Sequence, residues 1–148
     1  MLRGFEKIVE FDESFFAGSP KYGRGRAKGW KDEDEWVFGL VERGTLNCWL
    51  EQVDKSRSRK VLLPIINERC KDGTIFCSDT WGAYHKLSEH VQLEDTLHYP
   101  VNHKQNFVNP QTGAHSQTIE NMWSHCKQYL PAHGMQPKDL STYLGAFM

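Results

Sequence analysis

The sequence contains no apolar run near the ~20 residues that a membrane-spanning helix requires. Its N-terminal stretch also carries Glu6 and Glu10 where a secretory leader would need an apolar centre. The expectation is a soluble intracellular protein, nuclear in a eukaryote or cytoplasmic in a bacterium, with no membrane partner. Cys48, Cys70, Cys77 and Cys126 are widely spaced and form no C-x-x-C pair, which excludes a zinc ribbon or a dense disulfide framework. A reducing compartment follows. The histidines make no H-E-x-x-H pattern, and His85, His90, His98, His125 and His133 read as ordinary structure. Excess charge of one sign is missing too: the formal net charge is −1, without the basic surplus of a self-sufficient nucleic-acid binder. Global charge therefore neither requires nor forbids DNA.

What is present suffices for one domain with a real core: 148 residues, 39% of them hydrophobic and 12% aromatic. No internal repeat or low-complexity segment occurs. Residues 5–16 predict a first strand, apolar at both Ile8 and Val9 as in a centrally buried strand. A polar Gly- and Lys/Arg-rich loop follows from Gly18 to Asp34. A hairpin is expected from strands at 36–42 and 46–53 around the turn Arg43-Gly44. Val61, Leu62, Ile65 and Ile66 have helical spacing within 58–70, with Pro64 as a kink or a late helix start and Lys71-Asp72-Gly73 as the stop. Residues 74–78 predict a short buried strand ending at Asp79, then a helix from about Trp81 to Leu87 or beyond and a fifth strand over 93–101. Residues 102–115 read as loop, 116–130 as the last strong helix. This order suits an α/β fold, a mixed five-stranded sheet with one antiparallel edge and helices on both faces.

Three separated carboxylates carry the chemistry. Asp12 ends the first strand, Asp79 ends another, and ligands of open α/β sheets gather beyond the carboxyl ends of strands. On the last helix Ile119, Met122, Trp123, Cys126 and Leu130 form one apolar stripe, and Glu120 falls on its flank near Lys127, with Asn121 and Gln128 turned away. Three such acids could meet in an all-oxygen site for Mg²⁺ or Mn²⁺, their mutual repulsion relieved by two ions ~3.5–4 Å apart. Each acid alone has a plainer explanation: a helix cap at Asp79, a dipole partner at Glu120, a strand-end acid at Asp12. Against that stands the apolar context of Asp12, where an unpaired carboxylate is expensive.

The blocks around these acids resemble the DDE transposases of the Merlin and ISXO-type insertion-sequence superfamily. The resemblance rests on Val9-Glu10-Phe11-Asp12-Glu13-Ser14-Phe15-Phe16, on Trp36-Val37-Phe38-Gly39 with Val41-Glu42-Arg43-Gly44, and on Ser78-Asp79-Thr80-Trp81-Gly82-Ala83-Tyr84. It continues through Val101-Asn102-His103, Asn106-Phe107-Val108, Gly113-Ala114-His115-Ser116-Gln117-Thr118-Ile119-Glu120 and Trp123-Ser124. It implies a ribonuclease-H-like fold over the single domain 1–148. It also implies Asp12, Asp79 and Glu120 as catalytic metal ligands for Mg²⁺ or Mn²⁺, with transposon ends and target DNA as partners. The implied reaction is hydrolysis at a transposon end followed by attack of the freed 3′-hydroxyl on target DNA.

Other polar residues are weaker candidates. Lys21, Arg24, Arg26, Lys28 and Lys31, interleaved with Tyr22 and Trp30, could hold phosphates, as could His103, His115 and Lys127. Solvated loop is the equal reading for the basic run, and loop bracing the better one for His103 and His115. Lys55, Arg57, Arg59 and Lys60 read as a helix-start surface, and Trp81, Trp123 and Tyr84 as core. Related transposases place a zinc-binding or helix-turn-helix reader ahead of the catalytic domain, whereas 11 residues precede Asp12 here. Residues 141–148 read as an unfinished helix. The sequence thus reads as lacking an N-terminal DNA reader and truncated at its C-terminus, a fragment or relic that leaves autonomous activity open. A separate protein could supply specificity, and a homo-oligomer is compatible. The rivals are a domesticated, non-catalytic DNA- or protein-binding module and a structure-selective nuclease.

Overall fold

Five strands make one mixed sheet in the order β3-β2-β1-β4-β5. The computed structural model describes residues 7–16, 35–53, 56–79, 82–101, 115, 117–130 and 139–148. The strands are β1 (Ile8–Phe16), β2 (Glu35–Glu42), β3 (Cys48–Val53), β4 (Ile75–Asp79) and β5 (Leu97–Val101). The helices are α1 (Arg59–Arg69), α2 (Leu87–His90), α3 (Gln117–Tyr129) and α4 (Leu140–Phe147). β1 pairs antiparallel with β2 and β2 with β3, whereas β1, β4 and β5 run parallel. This is the mixed sheet with an antiparallel edge that the strand order implied.

Side-chain alternation sorts the core into two layers. Val9 and Phe11 of β1, Phe38 and Leu40 of β2 and Phe76 of β4 face α1, whose Leu62, Ile65 and Ile66 lie at i, i+3, i+4. Phe11 is the centre of that layer, with ring centroids 4.7 Å from Tyr84, 5.8 Å from Phe76 and 5.9 Å from Phe38. On the opposite face Phe16, Val37, Val41 and Leu50 pack under Ile119, Met122, Trp123 and Cys126 of α3 and Leu140 and Leu144 of α4. Pro64 sits inside α1 on its exposed side, and the helix runs through it from Arg59.

The expected elements differ from the observed ones at turns. The helix anticipated over 81–87 is a 3₁₀ turn at Gly82–Tyr84 followed by the one-turn α2. Lys86 between them has φ 52°, a left-handed conformation that a continuous helix cannot contain. β5 begins at Leu97 rather than 93, after Asp95 at φ 53°. β3 begins at Cys48 because Leu46, at φ 62°, donates its N–H back to the Glu42 carbonyl at 3.0 Å and so belongs to the turn. The loops expected over 18–34 and 102–114 lie outside the described residues, as does Trp81. All four cysteines are free, and no helix among the described residues is long and apolar enough to cross a membrane.

Candidate active site

Strand register brings two of the three acids together. Glu10 of β1 pairs with Cys77 of the parallel β4. Two residues further along each strand, on the same face by alternation, come Asp12 and Asp79. Both are half-buried; Asp79 is the last residue of β4, whereas Asp12 does not end its strand as the sequence suggested but lies in the middle of β1, which runs on to Phe16 along β2. Their face is the one α3 covers: Phe16, on the same side of β1, lies 5.9 Å from Trp123 between ring centroids, and Glu10 touches the start of α3. Antiparallel to β1, Gly39 stands opposite Asp12.

Glu120 is half-buried in the first turn of that same helix. It thus shares a face with Asp12 and Asp79. No three His, Cys, Asp or Glu side chains among the described residues converge into a metal-binding group, so α3 brings Glu120 to this face without closing a ligand shell.

Burial first, and the neighbouring acids after it, act on Glu13. Its carboxyl is raised from 4.5 to about 7, chiefly by burial, with Asp12 and Asp79 pushing the same way; the Tyr84 hydroxyl beside it and Arg57 oppose the shift. Arg57 itself lies over the Trp36 ring, 3.6 Å from its centroid. Tyr84 is raised well above 10 by burial first and by the Glu13 charge second. A cavity of about 270 Å³ opens beside Asp79, lined by Tyr84, His85, Lys86, His98 and Pro100. Its wall is braced by Arg59, which donates from Nε to the Ala83 carbonyl at 3.2 Å and from Nη2 to the His85 carbonyl at 2.8 Å. Within that lining His98 meets the Ser78 hydroxyl at 2.6 Å, and burial lowers its pKa from 6.5 to about 4, so it stays neutral at pH 7.

Of the weaker candidates, Lys21, Arg24, Arg26, Lys28, Lys31 and His103 lie outside the described residues. Lys127 is exposed, with Nζ 5.1 Å from the Phe16 ring centroid at the end of β1. His115 is tied into the fold: its carbonyl accepts from Arg43 Nη2 at 2.5 Å and its Nδ1 accepts the Gln117 N–H at 3.4 Å. Trp123 and Tyr84 are buried. Sequence reasoning did not single out Glu13, Arg43 or Glu10. The acidic pair Asp12-Glu13 was the available signal for the first, since strand alternation sends adjacent acids to opposite faces.

The chain belongs to the ISXO2-like transposase domain family, which it matches over residues 1–148. It is similar to an uncharacterized transposase-like protein of Haemophilus influenzae, 32% identical over 82 residues. That match covers 53% of this chain and 58% of the relative, so it spans little more than half of the relative's length. Among solved structures the fold is similar to a chain of the simian T-cell lymphotropic virus intasome in complex with PP2A regulatory subunit B56 gamma. The TM-score is 0.60 at 16% identity, over 95% of this chain and 48% of that one. The sheet is ribonuclease-H-like, as the sequence resemblance implied.

Proposed function

We propose that this domain performs divalent-metal-dependent phosphodiester hydrolysis and strand transfer in DNA transposition, with Asp12, Asp79 and Glu120 as its catalytic carboxylates. The observation that supports the reading is the register of β1 and β4, in which Glu10 pairs with Cys77, two residues before Asp12 and Asp79 on the face that α3, the helix of Glu120, covers. The donors are all carboxylate oxygens, the hard ligands that Mg²⁺ and Mn²⁺ prefer over softer metals. Two ions bound there would supply a lowered pKa for the attacking water or 3′-hydroxyl and charge neutralisation at the leaving oxygen.

The chain's own part is positioning. Asp12 and Asp79 hold their oxygens on a rigid two-strand platform, and α3 presents Glu120 from above it. Burial holds the carboxyl of Glu13, next to Asp12 on β1, up at about 7. The DNA partners are a transposon end and a target duplex, with Lys127 and the cavity beside Asp79 as phosphate-facing surfaces. Specificity for the end sequence is assigned to residues beyond this site or to a separate protein.

Calorimetric titration with Mn²⁺ tests the reading. The parent should bind, Asp79→Asn should bind at least tenfold more weakly, and Asn121→Ala, exposed on the same helix, should match the parent. Equal binding by the parent and Asp79→Asn removes Asp79 from the site. A parent that binds no metal yet holds DNA or a protein favours a non-catalytic binding module.

A further inference from the structure

We infer that the buried Glu10–Arg43 pair is a positioning device that fixes the first turn of α3, and with it Glu120, against the strands bearing Asp12 and Asp79. The inference rests on the carboxylate-site reading above. Glu10 is completely buried in the middle of the sheet, where a carboxylate is tolerated only if its charge and its lone pairs are matched. Its Oε2 accepts from Arg43 Nε at 2.8 Å. Its Oε1 accepts the backbone N–H of Thr118 at 3.1 Å, one of the donors that the start of a helix leaves without an internal partner. Arg43 in turn donates from Nη2 to the carbonyl of His115, just ahead of α3.

The cap of α3 is therefore delivered from the sheet. A local Ser, Thr or Asp cap moves with its helix and says nothing about where the helix sits, whereas a carboxylate from β1 and a guanidinium from the β2–β3 turn fix the helix relative to the strands. The negative charge also complements the positive end of the helix dipole. Arg43 is held for this role: its N–H donates to the Ile8 carbonyl at 2.9 Å, and Gly44 at φ +86° makes the turn that returns the chain to β3.

Each arm of the clamp stands two residues from a candidate ligand. Glu10 precedes Asp12 on β1, Cys77 precedes Asp79 on β4, and Thr118 precedes Glu120 on α3. Cys77 is the register partner of Glu10 and, like it, buried. One buried cluster thus indexes all three ligand-bearing elements to each other. Buried ion pairs contribute little to stability compared with an apolar filling of equal shape, so a fixed position is the function this pair serves better than an apolar pair could.

Amide hydrogen exchange and Mn²⁺ titration on the full chain test the clamp with Arg43→Met, Arg43→Lys and the double variant Glu10→Gln/Arg43→Met. In Arg43→Met the amides of residues 118–121 should exchange at least tenfold faster while those of α1 keep the parent rate, and Mn²⁺ affinity should fall tenfold or more. Arg43→Lys, which keeps the buried charge, should recover part of both. The double variant leaves no unmatched buried charge; it should regain thermal stability but not Mn²⁺ affinity, and it decides the matter if Arg43→Met fails to fold. Affinity that returns together with stability in the double variant makes the pair a merely stabilising one and overturns the inference, as does parental exchange at 118–121 in Arg43→Met. If the parent binds no Mn²⁺ the carboxylate-site reading fails, and the exchange pattern alone decides the clamp: acceleration confined to the start of α3 supports it, unchanged or uniform exchange overturns it.

Discussion

Trp123 lies directly against Gly39: a Cβ built on Gly39 would stand 2.7 Å from both Cη2 and Cζ2 of the indole. Gly39 is the cross-strand neighbour of Asp12, and Trp123 sits one turn beyond Glu120 on α3, so the missing side chain lets the helix come down onto the strand beside the acid. Gly39→Ala should lift α3, lowering stability by about 1–3 kcal/mol as overpacked cores do. It should weaken Mn²⁺ binding as well, because Glu120 moves with the helix. Urea denaturation and Mn²⁺ titration of this variant check both effects; a variant with parental stability would show that Trp123 has room to turn aside.

Much of this was legible beforehand. β1, β2 and β4 stood out because centrally buried strands are apolar on both faces, as at Ile8-Val9 and Phe38-Gly39-Leu40, and α3 because its stripe recurs at i, i+3, i+4, i+7. The break at Lys86 was not legible, since a lysine gives no local signal for positive φ. Nor was the partner of Glu10: Arg43 is 33 positions away, and Thr118 is 108 away. Periodicity reports which face a residue occupies, but the register that pairs Glu10 of β1 with Cys77 of β4 is a tertiary fact.

His98 sets a pH dependence whose sign is fixed. Its folded pKa of about 4 lies below the ordinary 6.5, so between those values the unfolded chain takes up a proton that the folded chain refuses. The stability it contributes is present above about 6.5 and is lost as pH falls toward 4. His98→Gln, which keeps a donor for the Ser78 hydroxyl, should lose less stability than the parent between pH 7 and pH 5. Comparing the two proteins by urea midpoint at both pH values cancels the other titrating groups, and equal losses would refute the role given to His98.

Arg59 ties α1 to the turn that follows Asp79 through the Ala83 and His85 carbonyls. Arg59→Ala should lower stability by about 1.5–3 kcal/mol, the range for hydrogen bonds that involve a charged group. The amides of residues 82–90 should exchange faster while those of β2 keep their protection. Uniform acceleration across the sheet would mean that Arg59 supports the whole fold rather than this wall of the site.

Cleavage of a pre-nicked or single-stranded DNA with Mn²⁺ is the most direct measurement of whether this is a working carboxylate site. The parent should cut slowly, and Asp12→Ala, Asp79→Ala and Glu120→Ala should each abolish cutting while DNA affinity at low metal stays the same or rises slightly through lost repulsion. Asn121→Ala should cut like the parent. A folded parent that binds DNA but shows no metal-dependent cleavage, or one whose cleavage survives loss of any of the three acids, would contradict the assignment.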